Sequence, residues 1–481
     1  MTRRIIGPFN RVEGDLEITL DITAGAVSAA YVNSPLYRGF EQILVGKAPA
    51  DALVLVPRIC GICSVAQSAA AAGALAAAAG LEPPPNGRLA ANLTQAAENS
   101  ADHLTHFYMF FMPDFANEAY RGRAWFETAV TRFKAIKGTA AADALAARAA
   151  FMRVMGLLAG KWPHTLSLQP GGSSRALQAS EKIRLFRILR EFRDFLERIV
   201  YGDALESVTA LSTSDELASW AQARSNTCDF GRFIHMAADL ELQRLGRSDA
   251  VLISAGAYRE VDGKLFSGGV FAGCDEVLDP ESIREDTRFA HYVEADGPQA
   301  PLAQETVPLP DKKDAYSWCK APRLGGRVAE TGAFARQVIS GHPLARDLIA
   351  GSGSNVTSRV VARLLELARL VPAMERWCQE LRPGEPYCAF AQLPDSSDSF
   401  ALIEAARGSL GHWLSIRKGR IRNYQIIAPT TWNFSPRDSA GVPGAVEQAL
   451  VGTPSEGAGA VSPAVYHVVR SFDPCMVCTV H

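Results

Sequence analysis

Two CxxC pairs stand at opposite ends of this chain, Cys60-Gly-Ile-Cys63 near its start and Cys475-Met-Val-Cys478 just before the terminal Thr479-Val480-His481. A CxxC turn presents two sulfurs to a single ion, and two such turns supply the four ligands of a thiolate site. If they share one ion, the fold must return its last residues to its beginning. If Cys60 and Cys63 open the Ala-rich segment behind them as a helix, the N-terminal dipole also favours thiolate over thiol. Nine cysteines in 481 residues are few for a secreted disulfide scaffold and odd in number, which points to a reducing compartment.

Spacing alone also fits a structural zinc site with four cysteine ligands. Zinc ribbons place their pairs roughly 15 to 20 residues apart, whereas these frame most of the sequence. Ionisable neighbours surround the pairs: Arg58, Glu13, Asp473 and the C-terminal His481. A crosslink does not need them, and a site that moves protons does. Cys228, Cys274, Cys319, Cys378 and Cys388 lack ligand spacing and read as packing or incidental thiols.

Composition narrows the class. A chain that is 48% hydrophobic and 21% charged is neither disordered nor fibrous. A net charge of −2 without long charge runs gives no electrostatic reason for a nucleic-acid or anionic-membrane partner. The opening MTRRIIGPFNRVEGD has no apolar core of a secretory signal, and Ser68 to Leu81 is mostly alanine, too weakly apolar for a bilayer span.

Hydrophobic period sets the expected elements. Leu16, Ile18, Leu20 and Ile22 alternate with Asp15, Glu17, Thr19 and Asp21, and an Ala24-Gly25 turn leads to Val27, Ala29 and Tyr31, a β-meander over about residues 1–35. An Ala-rich helix runs from Ser64 to Gly80, where Pro83-Pro84-Pro85 stops it. Further helices are expected over Arg88–Met112, Ala176–Tyr201, Ser214–Leu245 and Asn355–Leu381, with strands and loops over Ala250–Pro310. Trp413 to Ile416, a Lys418-Gly419 turn and Ile421 to Ile427 read as a hairpin. The expectation is one mainly helical α+β domain over residues 1–481, a long-helix bundle at about 60–380 with peripheral small sheets and a metal-binding end over 385–481.

The motifs as a set resemble a known family. Arg58-x-Cys60-Gly-x-Cys63 with Asp473-Pro-Cys475-x-x-Cys478-x-x-His481 is similar to the paired signatures of the [NiFe]-hydrogenase large subunit. Arg11-Val-Glu13-Gly14, Arg38-Gly39-Phe40-Glu41, Asp102-His103 with His106-Phe107-Tyr108, and Pro163-His164-Thr165 resemble further elements in family order. So do Glu404-Ala-Ala-Arg407-Gly408 with His412-Trp413, and Pro429-Thr430-Thr431-Trp432-Asn433.

The resemblance implies an Ni–Fe(CO)(CN)2 centre that splits H2 into hydride and proton. Nickel would be held by Cys60, Cys63, Cys475 and Cys478, with Cys63 and Cys478 bridging to the iron. Glu13 would relay the proton from Cys475, Arg407 would lie over the open metal face, Thr430 would bond a cyanide nitrogen, and Asp102 and Asp473 would orient Arg407. Glu41, His481 and the Ile426 carbonyl would bind Mg2+ or a similar ion. His103, His106, His164 and His412 receive no metal. Electrons would leave through a small subunit carrying Fe–S clusters.

Three departures resemble the family's H2-sensing regulatory branch. Gln67 stands where the usual motif has histidine, and Ile62 and Phe110 are bulkier than the expected valine and leucine, which implies a narrowed gas passage that slows O2. The expectation is therefore a low-turnover cytoplasmic H2 sensor signalling to a histidine kinase. A respiratory uptake hydrogenase is the alternative, and a non-catalytic scaffold around a four-thiolate zinc site is the alternative of a different class. The hydrogenase-like NADH dehydrogenase subunit ranks last, since it has lost the thiolate pairs. Uptake enzymes are made with a peptide beyond the final histidine. A sequence ending at His481 leaves a processed chain and a chain encoded without that peptide both open.

Overall fold

In the computed structural model, which describes residues 2–455 and 462–481, the N-terminal meander is formed by β1 (Thr2–Ile6), β2 (Glu17–Thr23) and β3 (Ala26–Asn33), paired antiparallel. Leu16, Ile18, Leu20 and Ile22 are buried as the alternation predicts. On β3 the inward residues are Val27, Ala30 and Val32, not Val27, Ala29 and Tyr31. A register shift at Asp21/Ile22 is the reason: Ile22 faces Val27 and Asp21 faces Ala29, so Ser28 is the extra residue and the faces beyond it exchange.

The long helices form the main core. Pro85–Thr105, Ala179–Phe195 and Val356–Glu380 carry leucine, valine and phenylalanine into one apolar cluster. The last of these starts where Asn355 Oδ1 accepts the Ser358 N–H at 3.0 Å. Both Pro85–Thr105 and Ala179–Phe195 continue into single π turns, His106–Phe111 and Leu196–Tyr201. The expected Ser214–Leu245 helix is instead two, Ser214–Gln222 and Asp229–Asp239. Ser225-Asn226-Thr227 favours turns over helix, and Cys228 restarts the chain by accepting the Gly231 N–H on its sulfur.

A second apolar cluster places the site. The Ser64–Ala79 helix, small along its length, lies close against strands Ser397–Ala405 and Gly408–Arg417. The latter pairs with Arg420–Ile427 through a tight turn in which Lys418 (φ 53°) and Gly419 (φ 67°) are both left-handed, the backbone a two-residue hairpin requires. The 250–310 region holds strands Val251–Glu260 and Gly263–Phe271, and Ala329–Thr331 adds parallel to the first. Among the described residues, no helix is long and apolar enough to cross a membrane.

Candidate metal centre

The two ends of the chain meet in the interior. After the Pro463–Ser471 helix, Asp473 takes a left-handed φ of 58°, and the chain turns through Cys475 into a 3-10 turn, Met476–Cys478. Glu13 and Cys475 form a parallel bridge in which the Met476 N–H donates to the Glu13 carbonyl at 2.7 Å. Gly14 makes this approach feasible: its φ is +78°, and an added Cβ would lie 2.9 Å from a Val477 methyl. Arg11 holds the same segment through the Phe110 carbonyl at 2.9 Å and the Asp114 carboxylate. Arg38 ties the two CxxC turns together, donating to the carbonyls of Arg58 and Ile59 before one pair and to that of Val477 inside the other.

The result is a single sulfur cluster. Ligand atoms of Cys60, Cys63, Cys475 and Cys478 all lie within 4.8 Å of one another. Cys63 Sγ is 2.8 Å from Cys478 Sγ, and Cys60 Sγ is 3.5 Å from Cys475 Sγ. The N–H groups of Ile62 and Cys63 point at the Cys60 sulfur at 3.3 and 3.4 Å, the usual geometry of a CxxC turn. Hydrogen bonds from the other three sulfurs lower the Cys60 thiol pKa well below the ordinary thiol value, while the same neighbours raise that of Cys63. Four soft donors this close, three of them buried and Cys63 partly so, with the Cys60 thiol favoured as thiolate, fit a thiophilic transition metal. No sulfur of the other five cysteines belongs to this group.

Buried charge surrounds the sulfurs. Arg407, 3% exposed, has Nη1 at 2.9 Å from Asp102 Oδ2 and Nη2 at 3.2 Å from Asp473 Oδ1, and its Nε donates to the Asp473 carbonyl at 3.0 Å. Burial pushes the Asp102 carboxyl up to about 7, with the guanidinium pulling the other way. At Asp473 burial acts in the same sense, but the Arg407 guanidinium together with His106, Arg363 and His103 outweighs it, and the net direction is down. Glu13 is half-buried, and desolvation raises its carboxyl against the opposing pull of Arg407. Thr430 Oγ1 accepts the Cys475 N–H at 3.2 Å, which leaves its own hydroxyl hydrogen available to an acceptor at the centre.

The second expected cation site is partly assembled. Glu41 and His481 are buried, and both ring nitrogens of His481 lack a hydrogen-bond partner, which suits a ligand. Glu41, however, already accepts from the Ile426 N–H at 3.0 Å and from Lys320 Nζ at 3.0 Å. Lys320, in a loop, and Glu285, on the short strand Ile283–Asp286 and 3.6 Å from that ammonium, escaped the sequence reading because isolated charges carry no spacing signal.

The remaining residues fall into place around these. Gln67 Oε1 accepts from His412 Nε2 at 2.8 Å, and His412 Nδ1 meets the Tyr424 hydroxyl at 2.8 Å. Burial takes that imidazole down to about 3, so it is neutral. His103 bonds Glu366, His106 the Arg470 carbonyl and His164 the Pro57 carbonyl, as packing histidines do. Ile62 packs on the sulfur-side cluster, and Phe110 lies in the π turn. The sequence reading missed Arg336, which donates to the carbonyls of Ala405 and Ala406 and so fixes the turn into Arg407. It also missed Glu98, a buried carboxylate at the start of the Ser64–Ala79 helix.

Comparison with known proteins adds a third line of observation. The profile of the family described as nickel-dependent hydrogenase matches residues 38–131 and 140–481. The periplasmic [NiFeSe] hydrogenase large subunit of Desulfomicrobium baculatum is 29% identical over 99% of this chain and 94% of its own. The uptake hydrogenase large subunit of Afipia carboxidovorans is 24% identical over 100% of this chain and 95% of its own. The Ni-Fe-Se hydrogenase of D. vulgaris Hildenborough, solved in its reduced state, superposes with a TM-score of 0.84 at 29% identity, covering 100% of both chains.

Proposed function

The chain belongs to the nickel-dependent hydrogenase family and is the catalytic large subunit of such an enzyme, and from that premise we propose that it works as a respiratory uptake hydrogenase, oxidising H2 and passing the electrons on. The observation that carries this reading is the joining of four sulfurs from opposite chain ends within 4.8 Å, beside a buried arginine held between two aspartates. Cys60, Cys63, Cys475 and Cys478 would hold a nickel–iron pair, which when bound would supply the Lewis acidity that polarises H2.

The chain's own groups do the rest. The Cys475 sulfur takes the proton released from H2, and the Glu13 carboxylate, locked to Cys475 by the main-chain bridge, carries it outward. A carboxyl raised above its ordinary value by burial is the better matched for such a relay. Arg407 keeps a fixed positive charge at the centre, and Asp102 and Asp473 prevent it from swinging away. Thr430, whose Oγ1 accepts the Cys475 N–H, would offer its hydroxyl hydrogen to a cyanide nitrogen of the bound centre. Glu41, His481 and the Ile426 carbonyl would hold a divalent cation such as Mg2+, which would have to share Glu41 with Lys320. Electrons leave through a small subunit carrying Fe–S clusters, and residues 1–481 act as one domain because the site draws on both ends.

The H2-sensing expectation, with its kinase partner, rests on Gln67, Ile62 and Phe110, and the relatives are not sensors by name. The cytoplasmic expectation likewise has no support from a relative named as periplasmic. One preparation separates the readings: the chain purified with its partner, its infrared spectrum between about 1,900 and 2,100 cm−1, its nickel and zinc content, and its rate of H2-driven dye reduction. CO and cyanide bands with stoichiometric nickel and turnover on the order of 10 s−1 or above fit an uptake enzyme. The same bands with turnover far below that would return the sensor reading, and one zinc per chain with no bands would return the scaffold.

A further inference from the structure

The residue at a helix N-cap ordinarily uses its own side chain to satisfy the free N–H groups of the first turn. Here that residue is Cys63, and its side chain makes no capping bond to the Ser64–Ala79 helix. Its sulfur lies 2.8 Å from Cys478 Sγ and belongs to the metal cluster. The first turn of this helix must therefore be satisfied from elsewhere.

Glu98 does it from the neighbouring helix. It sits one turn before Asp102 on the same face of Pro85–Thr105 and is 3% exposed. Its Oε2 accepts from the Val65 N–H at 2.9 Å, the Trp162 indole at 2.9 Å and the Ser64 hydroxyl at 3.4 Å, and its Oε1 accepts from the Ala66 N–H at 3.0 Å. Every one of these partners donates, the pattern that favours a carboxylate at a helix N-terminus, although burial outweighs them and pushes the carboxyl up to about 8. Ser64 Oγ in turn accepts the His164 N–H at 3.3 Å, and His164 Nδ1 meets the Pro57 carbonyl at 2.8 Å. The Cys60–Cys63 turn is thus gripped behind Cys63 by Glu98 and in front of Cys60 by His164.

We propose that Glu98 is a positioning residue of the metal centre: it caps in trans the helix whose own cap residue is occupied as a ligand, and so fixes the Cys63 sulfur against Cys478. This rests on the reading that a nickel–iron centre occupies the four sulfurs. The amide introduced by Glu98→Gln cannot accept from all four donors, because its NH2 end faces N–H groups. The shorter carboxylate of Glu98→Asp keeps the charge and loses reach.

The test compares wild type, Glu98→Gln and Glu98→Asp as complexes with the small subunit. The readouts are nickel content, the infrared CO and cyanide bands, and amide exchange of the segment following Cys63. Positioning predicts that both variants retain nickel, show shifted or broadened bands, and exchange faster at Val65 and Ala66. Loaded variants with wild-type bands overturn the proposal, since a contribution to folding alone would lower the loaded fraction and leave the bands of that fraction unmoved. If neither variant accumulates, Trp162→Phe removes one donor only: displaced bands there support the role, and unchanged bands overturn it. Failure of the underlying reading is seen separately, as a wild type without bands.

Discussion

Glu13 and Cys475, from opposite ends of the chain, are neighbours in a parallel β-bridge closed by the Met476 N–H on the Glu13 carbonyl at 2.7 Å. The carboxylate is therefore positioned by main-chain bonds, which a side-chain substitution leaves intact. Glu13→Gln should lose about 10²- to 10⁴-fold in H2-driven dye reduction while nickel content stays at wild type. Because burial raises the Glu13 carboxyl, wild-type turnover should climb with pH as that group ionises, and the variant should lack this limb. Retained turnover in Glu13→Gln would take Glu13 out of the proton route.

The sulfur cluster makes a sharper distinction. Cys63→Ser and Cys478→Ser each replace one of a pair of sulfurs 2.8 Å apart by a hard oxygen, and both should abolish nickel retention. Cys319→Ser lies outside the group and should keep its nickel. Metal analysis of the purified chain decides it, and nickel kept by either of the first two would mean that the four sulfurs are not its ligands.

Oxygen access offers a third check. Ile62 is tied to the centre by its own N–H on the Cys60 sulfur, so its branched side chain starts one residue from a ligand. Ile62→Val combined with Phe110→Leu should make H2 oxidation fall faster in air than in wild type. Equal decay of the two activities would show that these side chains do not control the passage.

Stability should depend on pH through Glu447. Its Oε1 accepts the Val32 N–H at 2.9 Å and the Tyr316 hydroxyl at 2.8 Å, yet complete burial pushes the carboxyl up to about 7. The folded state thus holds this proton more tightly than the unfolded chain does. Stability from this group is full below the ordinary glutamate value and is lost as pH rises to about 7, a difference of up to about 3 kcal/mol. Glu447→Gln should flatten that decline, as urea denaturation at about pH 5 and about pH 8 would show. An unchanged slope would assign the dependence to other carboxyls.

Local pattern was enough for much of this protein. The meander, the alanine helix that begins at Cys63, the Val356–Glu380 helix and the Lys418-Gly419 hairpin follow from period, capping and turn chemistry, all interactions within a few residues. The four ligand cysteines were legible for the same reason, because CxxC spacing is a local property even when the two pairs are far apart. The extra residue Ser28 was not, since a bulge depends on what packs against it, whereas the break at Ala223–Cys228 had a local signal in Ser225-Asn226-Thr227 that the helical period overrode. Nor could the sequence reveal that Glu98 caps another helix, that Arg336 holds the turn before Arg407, or that Lys320 shares Glu41. A charged residue within an ordinary helix or loop carries the same local signal whether it faces water or a buried partner. Only the tertiary structure, by removing water and bringing distant segments within hydrogen-bond reach, decides which it is.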